Sequence, residues 1–249
     1  PALDVCWTST SLDDCAQRFT THNPHKALCR AMETFKKMLG GGIQATPLPL
    51  QKGQIAIVLD NALTKKECSE WIQRAEGQGY EAAEINAGGN RSYYDPNYRN
   101  SDRCIIDDEA RAAKLFKRMQ PYLPQVSERP QMQPYLPQVS ERPQRRPGKD
   151  MSSSPLAGLN ERLRFLKYGK GGFFKPHFDG IYCRPDGSAK SGMSVMLYLN
   201  DGEADFQGGR TCLLREPKMA DEEPAILHLV VPKPGRVLVF DHDIYHVGE

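Results

Sequence analysis

The feature that most constrains this chain is a run of short β-prone segments in its second half. Residues 162–168, 174–179, 193–200, 210–214, 226–231 and 236–240 are rich in Val, Leu, Ile, Phe and Tyr. Gly, Pro and Asp turns separate them. Strands this short at this spacing imply a β-sandwich or barrel. An earlier run, Ile55-Ala56-Ile57-Val58-Leu59, reads as one more strand.

Within these strands lies Lys175-Pro176-His177-Phe178-Asp179. Side chains alternate faces along an extended chain, so His177 and Asp179 point to one side and Phe178 to the other. An imidazole and a carboxylate on one face form two-thirds of a facial metal site, whose usual third ligand is a second His. His246 follows the strand Val237–Phe240 and is suited to that role. His242-x3-His246 would form a two-His zinc pair if it lay on a helix. Pro234-Gly235 and the β-branched run after it favour a strand and turn instead.

RFLKYGKGGFFKPHFDG, SVMLYLND, FQGGRTCLL and PGRVLVFDHDIYHVGE occur in this order between about residue 160 and residue 249. Together they resemble the catalytic core of the 2-oxoglutarate/Fe(II) oxygenases of the prolyl 4-hydroxylase type. The likeness extends more weakly back to residue 54. It implies a mainly β fold with flanking α-helices, built on a double-stranded β-helix (jelly-roll) core. It implies Fe(II) on His177, Asp179 and His246, with 2-oxoglutarate as cosubstrate and ascorbate as an accessory reductant. Tyr168 and Tyr198 match positions that hydrogen-bond the cosubstrate in relatives; an aromatic filling the barrel is the plainer role for each. The implied reaction hydroxylates a C–H bond while 2-oxoglutarate becomes succinate and carbon dioxide. The substrate expected is a prolyl or other side chain of a protein or peptide. In that family an Arg or Lys about ten residues beyond the distal His pairs with the far carboxylate of the cosubstrate. This sequence runs three residues past His246, so that cation and the closing strand are missing from it and an open sheet edge is expected. Arg164 and Lys170 are the stand-ins available.

The remaining chain divides into an N-terminal segment, residues 1–45, and an oxygenase domain, residues 54–249, with a proline-rich insertion at 119–154. Cys15, His22, His25 and Cys29 cluster in the first segment. HNPHKALC resembles the last turn of a MYND-type zinc finger, and a plain amphipathic helix over Leu28–Leu39 accounts for the same residues. Thr64 is a suitable N-cap for a helix that would bury Cys68, Trp71, Ile72 and Ala75. Asp107–Met119 reads as a second helix, with Ala110, Ala113, Leu115 and Phe116 available to pack. Between the two helices, residues 88–104 are rich in Gly, Asn, Tyr and Arg and read as a loop. In relatives a loop here covers the active-site mouth, which makes Tyr98, Arg99, Asn100 and Arg103 candidates for substrate contact. MQPYLPQVSERPQ at 119–131 repeats unchanged at 132–144. Its prolines preclude a regular helix or central strand, and a mobile segment is expected.

The net charge of +2, from nearly equal numbers of acids and bases, gives no electrostatic case for a nucleic-acid or anionic-membrane partner. No apolar stretch is long enough to span a bilayer. Seven scattered cysteines do not form a secreted disulfide framework, which points to a reducing compartment, cytoplasmic or nuclear. A non-catalytic β-helix module that binds a metal or a partner is the alternative to an enzyme.

Overall fold

The computed structural model describes residues 2–9, 42–50, 53–88, 91–124, 156–184, 187, 189–217, 219 and 222–248. The Cys–His cluster between Cys15 and Cys29, the helix expected over Leu28–Leu39 and most of the repeated proline-rich segment lie outside them. In chain order the strands begin with β1 (Ala2–Ser9), β2 (Gln44–Pro47) and β3 (Ala56–Asp60). Helix α1 (Lys65–Gln78) follows, then β4 (Glu81–Ala82), β5 (Ile85–Gly88), β6 (Arg91–Tyr93), β7 (Arg99–Asn100) and β8 (Asp102–Asp107). After helix α2 (Glu109–Met119) come β9 (Leu156–Leu159), β10 (Arg162–Lys167), β11 (Phe173–His177) and β12 (Met193–Tyr198). The last four are β13 (Thr211–Arg215), β14 (Ala225–Val230), β15 (Val237–Asp241) and β16 (Tyr245–Gly248).

Two antiparallel sheets face each other, as the short-strand pattern requires. The larger runs β2-β3-β15-β12-β1-β10-β8-β4, with β9 also paired to β1; the smaller runs β14-β13-β16-β11-β7. The fold is mainly β with two helices and agrees with a double-stranded β-helix. Alternation along the strands sorts the core into two layers. Val195, Leu197, Val237, Val239, Leu163 and Phe165 face the helices, where Trp71 meets Phe165 at 5.9 Å between ring centroids. Tyr198, Leu238 and Phe240 face the smaller sheet, where Leu213 and Val230 meet them. Strands covered on both faces lose polar alternation, which is why Val237–Phe240 are all buried.

In the larger sheet β12 and β10 are not direct neighbours. Strand β1 lies between them and pairs antiparallel with both, Asp4 opposite Arg164 on one side and Met196 on the other. The sequence offered no reading of this strand.

Helix α1 begins where expected. Thr64 and Glu67 form a capping box, and Cys68, Trp71 and Ala75 are buried. Helix α2 has Asp108 as its N-cap and buries Ala112, Leu115 and Met119. Ala110 and Ala113 are on its solvent side instead, because the hydrophobic stripe is rotated from the expected phase. The stretch expected to be mobile from residue 119 starts as packed structure: Met119 and Leu123 are both in the core layer beneath the helices. The region expected as one loop, 88–104, is also more ordered. It holds β6, which pairs with β5, then β7 against β11, and the first half of β8.

Candidate metal and cosubstrate site

The two histidine positions come from neighbouring strands of the smaller sheet. Strands β11 and β16 are antiparallel, and their register sets His177 directly opposite His246. Asp179 follows β11 by two residues. One donor atom from each of His177, Asp179 and His246 falls within a span of 4.8 Å. Asp179 stands between the imidazoles: its Oδ1 is 3.7 Å from His177 Nε2 and its Oδ2 is 3.8 Å from His246 Nε2.

Local hydrogen bonds prepare both rings for a metal. His177 Nδ1 is 2.7 Å from the Lys175 carbonyl oxygen, and His246 Nδ1 is 3.0 Å from that of Ile244. A carbonyl can only accept, so each Nδ1 carries the hydrogen and each Nε2 presents its lone pair. This second bond also fixes the ring orientation. Burial, reinforced by the neighbouring His246, pushes the His177 pKa down to about 3. Burial alone would raise Asp179, but the neighbouring His246 and His177 and a hydrogen bond from Ser194 outweigh it and hold its pKa below the usual carboxylate range. Two neutral imidazoles and an ionised carboxylate are the protonation states a divalent ion needs. These residues fit an Fe(II) site.

Supporting side chains complete the centre. Ser194, fully buried on β12, donates to Asp179 Oδ2. Phe240 meets His246 edge-on at 4.8 Å, and Phe174 stacks on His177 at 3.6 Å. His242 is buried in the turn between β15 and β16, close enough to act electrostatically on Asp179. The segment between these strands is a turn, so the helical zinc pairing of His242 with His246 does not form.

The two tyrosines expected near the cosubstrate occupy the space between the sheets. Tyr198 is buried and donates to Thr211 Oγ1 at 2.7 Å. Burial pushes its pKa well above the ordinary phenol value. The Tyr168 hydroxyl lies 3.9 Å from where a Cβ on Gly248 would be, so it approaches β16 two residues beyond His246. Arg164 shares the inner face with Met196 and Tyr198, since the register aligns residues 164, 4 and 196 across three strands. Lys170 is exposed in the turn before β11.

The four substrate-contact candidates separate into two groups. Tyr98 and Arg99 are beside the metal ligands. The Tyr98 hydroxyl donates to the Pro176 carbonyl at 3.3 Å, and its ring meets Phe174 edge-on at 5.9 Å. The Arg99 guanidinium carbon lies 4.5 Å from the Phe174 centroid. Asn100 is exposed next to them on β7. Arg103 is engaged elsewhere, 3.3 Å from Glu81 and 3.9 Å from Glu84. Ser194 and Thr211 were not identified from sequence. Period-two alternation from Tyr198 places Ser194 on the inner face, but nothing in the sequence shows that it reaches Asp179.

No curated protein matches the chain. Residues 163–249 match the family model of the 2OG-Fe(II) oxygenase superfamily. The matched stretch begins within β10 and contains all three ligands, so Fe(II) and 2-oxoglutarate are the metal and cosubstrate that the family implies for this site. This segment, with its His177–Asp179–His246 centre, is a 2OG-Fe(II) oxygenase superfamily domain.

Proposed function

We propose that the protein hydroxylates a prolyl or similar side chain of a protein or peptide. The observation that carries this reading is the aromatic wall on the approach to His177. Tyr98 and Phe174 meet edge-on, and Phe174 in turn stacks on the His177 ring. Two further tyrosines, Tyr93 and Tyr94, are exposed on the preceding segment. Flat aromatic faces suit the compact apolar ring of proline, and aromatic-lined grooves are a recurrent way to hold proline-rich segments.

Iron(II) with 2-oxoglutarate and dioxygen, when bound, supplies oxidation of an unreactive C–H bond. The protein's own residues perform the remaining tasks. His177, Asp179 and His246 would hold the metal on one face and leave the opposite face to ligands. The Lys175 and Ile244 carbonyls keep the two imidazoles in the binding tautomer. Ser194 engages one oxygen of Asp179 and leaves Oδ1 as the more available donor. Phe174 and Phe240 exclude water around the ligands. Tyr168 and Tyr198 provide hydroxyls between the sheets for an oxygen-rich ligand.

The test is a coupled measurement of succinate release and peptide mass. With Fe(II), 2-oxoglutarate and ascorbate, a panel of proline-containing peptides should stimulate succinate release and gain one oxygen atom on a prolyl residue. His177→Ala should abolish both. Stimulation by small molecules, with no oxygen gained on any peptide, would transfer the substrate class away from polypeptides.

A further inference from the structure

Arg99 brings a positive charge into the wall of the metal pocket with no counterion among the described residues. The residue is 9 % exposed. A buried charge is costly unless it is paired and hydrogen-bonded. Its Nε donates to Ser101 Oγ at 3.0 Å, and its plane lies over the Phe174 ring. Among the described residues its two terminal nitrogens have no hydrogen-bond acceptor, and no carboxylate lies within ion-pair distance. Those nitrogens are not sealed off from solvent either, so they open onto accessible space. Phe174 separates the guanidinium from His177 and stacks on that ring, which brings the positive charge within about 8 Å of the imidazole. Its charge helps to lower the proton affinity of His177.

The other arginines near the barrel are committed or differently placed. Arg236 grips Asp60 through two hydrogen bonds, and Arg103 faces Glu81 and Glu84. Arg164 is half-buried on the inner face and acts electrostatically on Asp107. Charge balance around the centre points the same way. Two neutral imidazoles, one carboxylate, one divalent ion and Arg99 leave an excess of about two positive charges, which matches a dianion.

We propose that Arg99 is a carboxylate-binding residue of this pocket, taking either the far carboxylate of 2-oxoglutarate or a carboxylate on the substrate beside the reacting C–H bond. The guanidinium offers its two terminal nitrogens as a fork, the geometry that a carboxylate accepts from two donors. This rests on the iron and 2-oxoglutarate reading of the site.

The test uses the Mn(II)-loaded protein and calorimetry, so that its readout is binding rather than turnover. The parent, Arg99→Met, Arg99→Lys and Arg164→Met are titrated with 2-oxoglutarate and with 2-oxobutanoate, which lacks the far carboxylate. A second arm compares two proline peptides that differ only in Glu or Gln beside the proline. If the cosubstrate is the source, Arg99→Met weakens 2-oxoglutarate at least tenfold and leaves 2-oxobutanoate and Mn(II) unchanged. Arg99→Lys then recovers part of the loss. If the substrate is the source, Arg99→Met leaves 2-oxoglutarate unchanged and abolishes the preference for Glu over Gln. Either result supports the proposal. Binding of both ligand pairs within twofold of the parent in Arg99→Met, or transfer of the loss to Arg164→Met, would overturn it. A parent that binds Mn(II) but not 2-oxoglutarate would defeat the proposed function, and the peptide pair would still decide Arg99.

Discussion

Replacing Ser194 by Ala tests how much of the metal affinity depends on a residue that does not touch the metal. The substitution removes the hydroxyl that donates to Asp179 Oδ2 and changes little else, because Ser194 is fully buried and the smaller side chain fits. A hydrogen bond to a charged group contributes about 1.5–3 kcal/mol. Two effects then oppose each other. Without the donor the carboxylate becomes more basic, which strengthens it as a ligand. It also becomes free to rotate, and its second oxygen can compete for the metal or turn towards His246 Nε2, 3.8 Å away. The first effect is small, since a bound divalent cation keeps Asp179 ionised with or without Ser194. Loss of orientation therefore dominates. Partners of this kind typically alter metal affinity by about 10- to 100-fold, equivalent to about 1.4–2.7 kcal/mol. We expect the Mn(II) and Co(II) dissociation constants of Ser194→Ala to rise by that factor at pH 7. Ser194→Thr, which keeps the hydroxyl, should recover most of the loss. Chelator competition measures the affinity, and circular dichroism melts of the metal-free proteins show whether the fold is kept. An unchanged affinity in Ser194→Ala, with an unchanged melt, would refute the argument that this hydroxyl positions Asp179.

Two further predictions concern the scaffold. Gly235 has φ of +78°, and a Cβ there would lie 1.9 Å from the Leu63 carbonyl oxygen. Gly235→Ala should cost about 3 kcal/mol or more in urea denaturation, from backbone strain and displacement of the turn; a loss below about 1 kcal/mol would show that the turn yields freely. The Arg118 hydrogen bond, the largest influence on Glu67, lowers its pKa from 4.5 to about 2. A carboxylate with a depressed folded-state pKa stabilises fully above its unfolded value and loses that contribution as pH falls through its folded value. Between pH 4.5 and 2 the parent should therefore lose more stability than Glu67→Gln. Parallel loss in the two proteins, followed by denaturant midpoints, would remove the pair from the account.

The metal centre was legible in sequence for a specific reason. Period-two geometry sets His177 and Asp179 on one face from local spacing alone, and His246 directly follows an apolar strand. Tyr198 was legible by the same rule, since Met196 shares its face. Arg99 was less legible. It lies on a two-residue strand whose partner, Phe174, is far along the chain, and its composition reads as an exposed loop. Only the pairing with β11 shows that its charge is buried. Ser194 reads as a small residue in an apolar strand, because its partner Asp179 is across a loop. The stripe on α2 failed for a different cause. Ala110, Ala112 and Ala113 are chemically alike, and which of them faces the sheet depends on the helix's rotation, fixed by Leu115 and Met119.

The placement of β1 also governs when the fold can be completed. Its residues are translated about 160 to 200 residues before the positions they pair with on β10 and β12. At about 5–20 residues per second, that is a wait of about 10 to 40 s on the ribosome. During it a strand with the sequence Ala2–Ser9 has neither neighbour and exposes both of its backbone edges. Closing so long a loop delays pairing until most of the barrel exists. The larger sheet should therefore be finished last at its middle, with the assembly of the metal ligands on β11 and β16 preceding the insertion of the strand that joins its two halves.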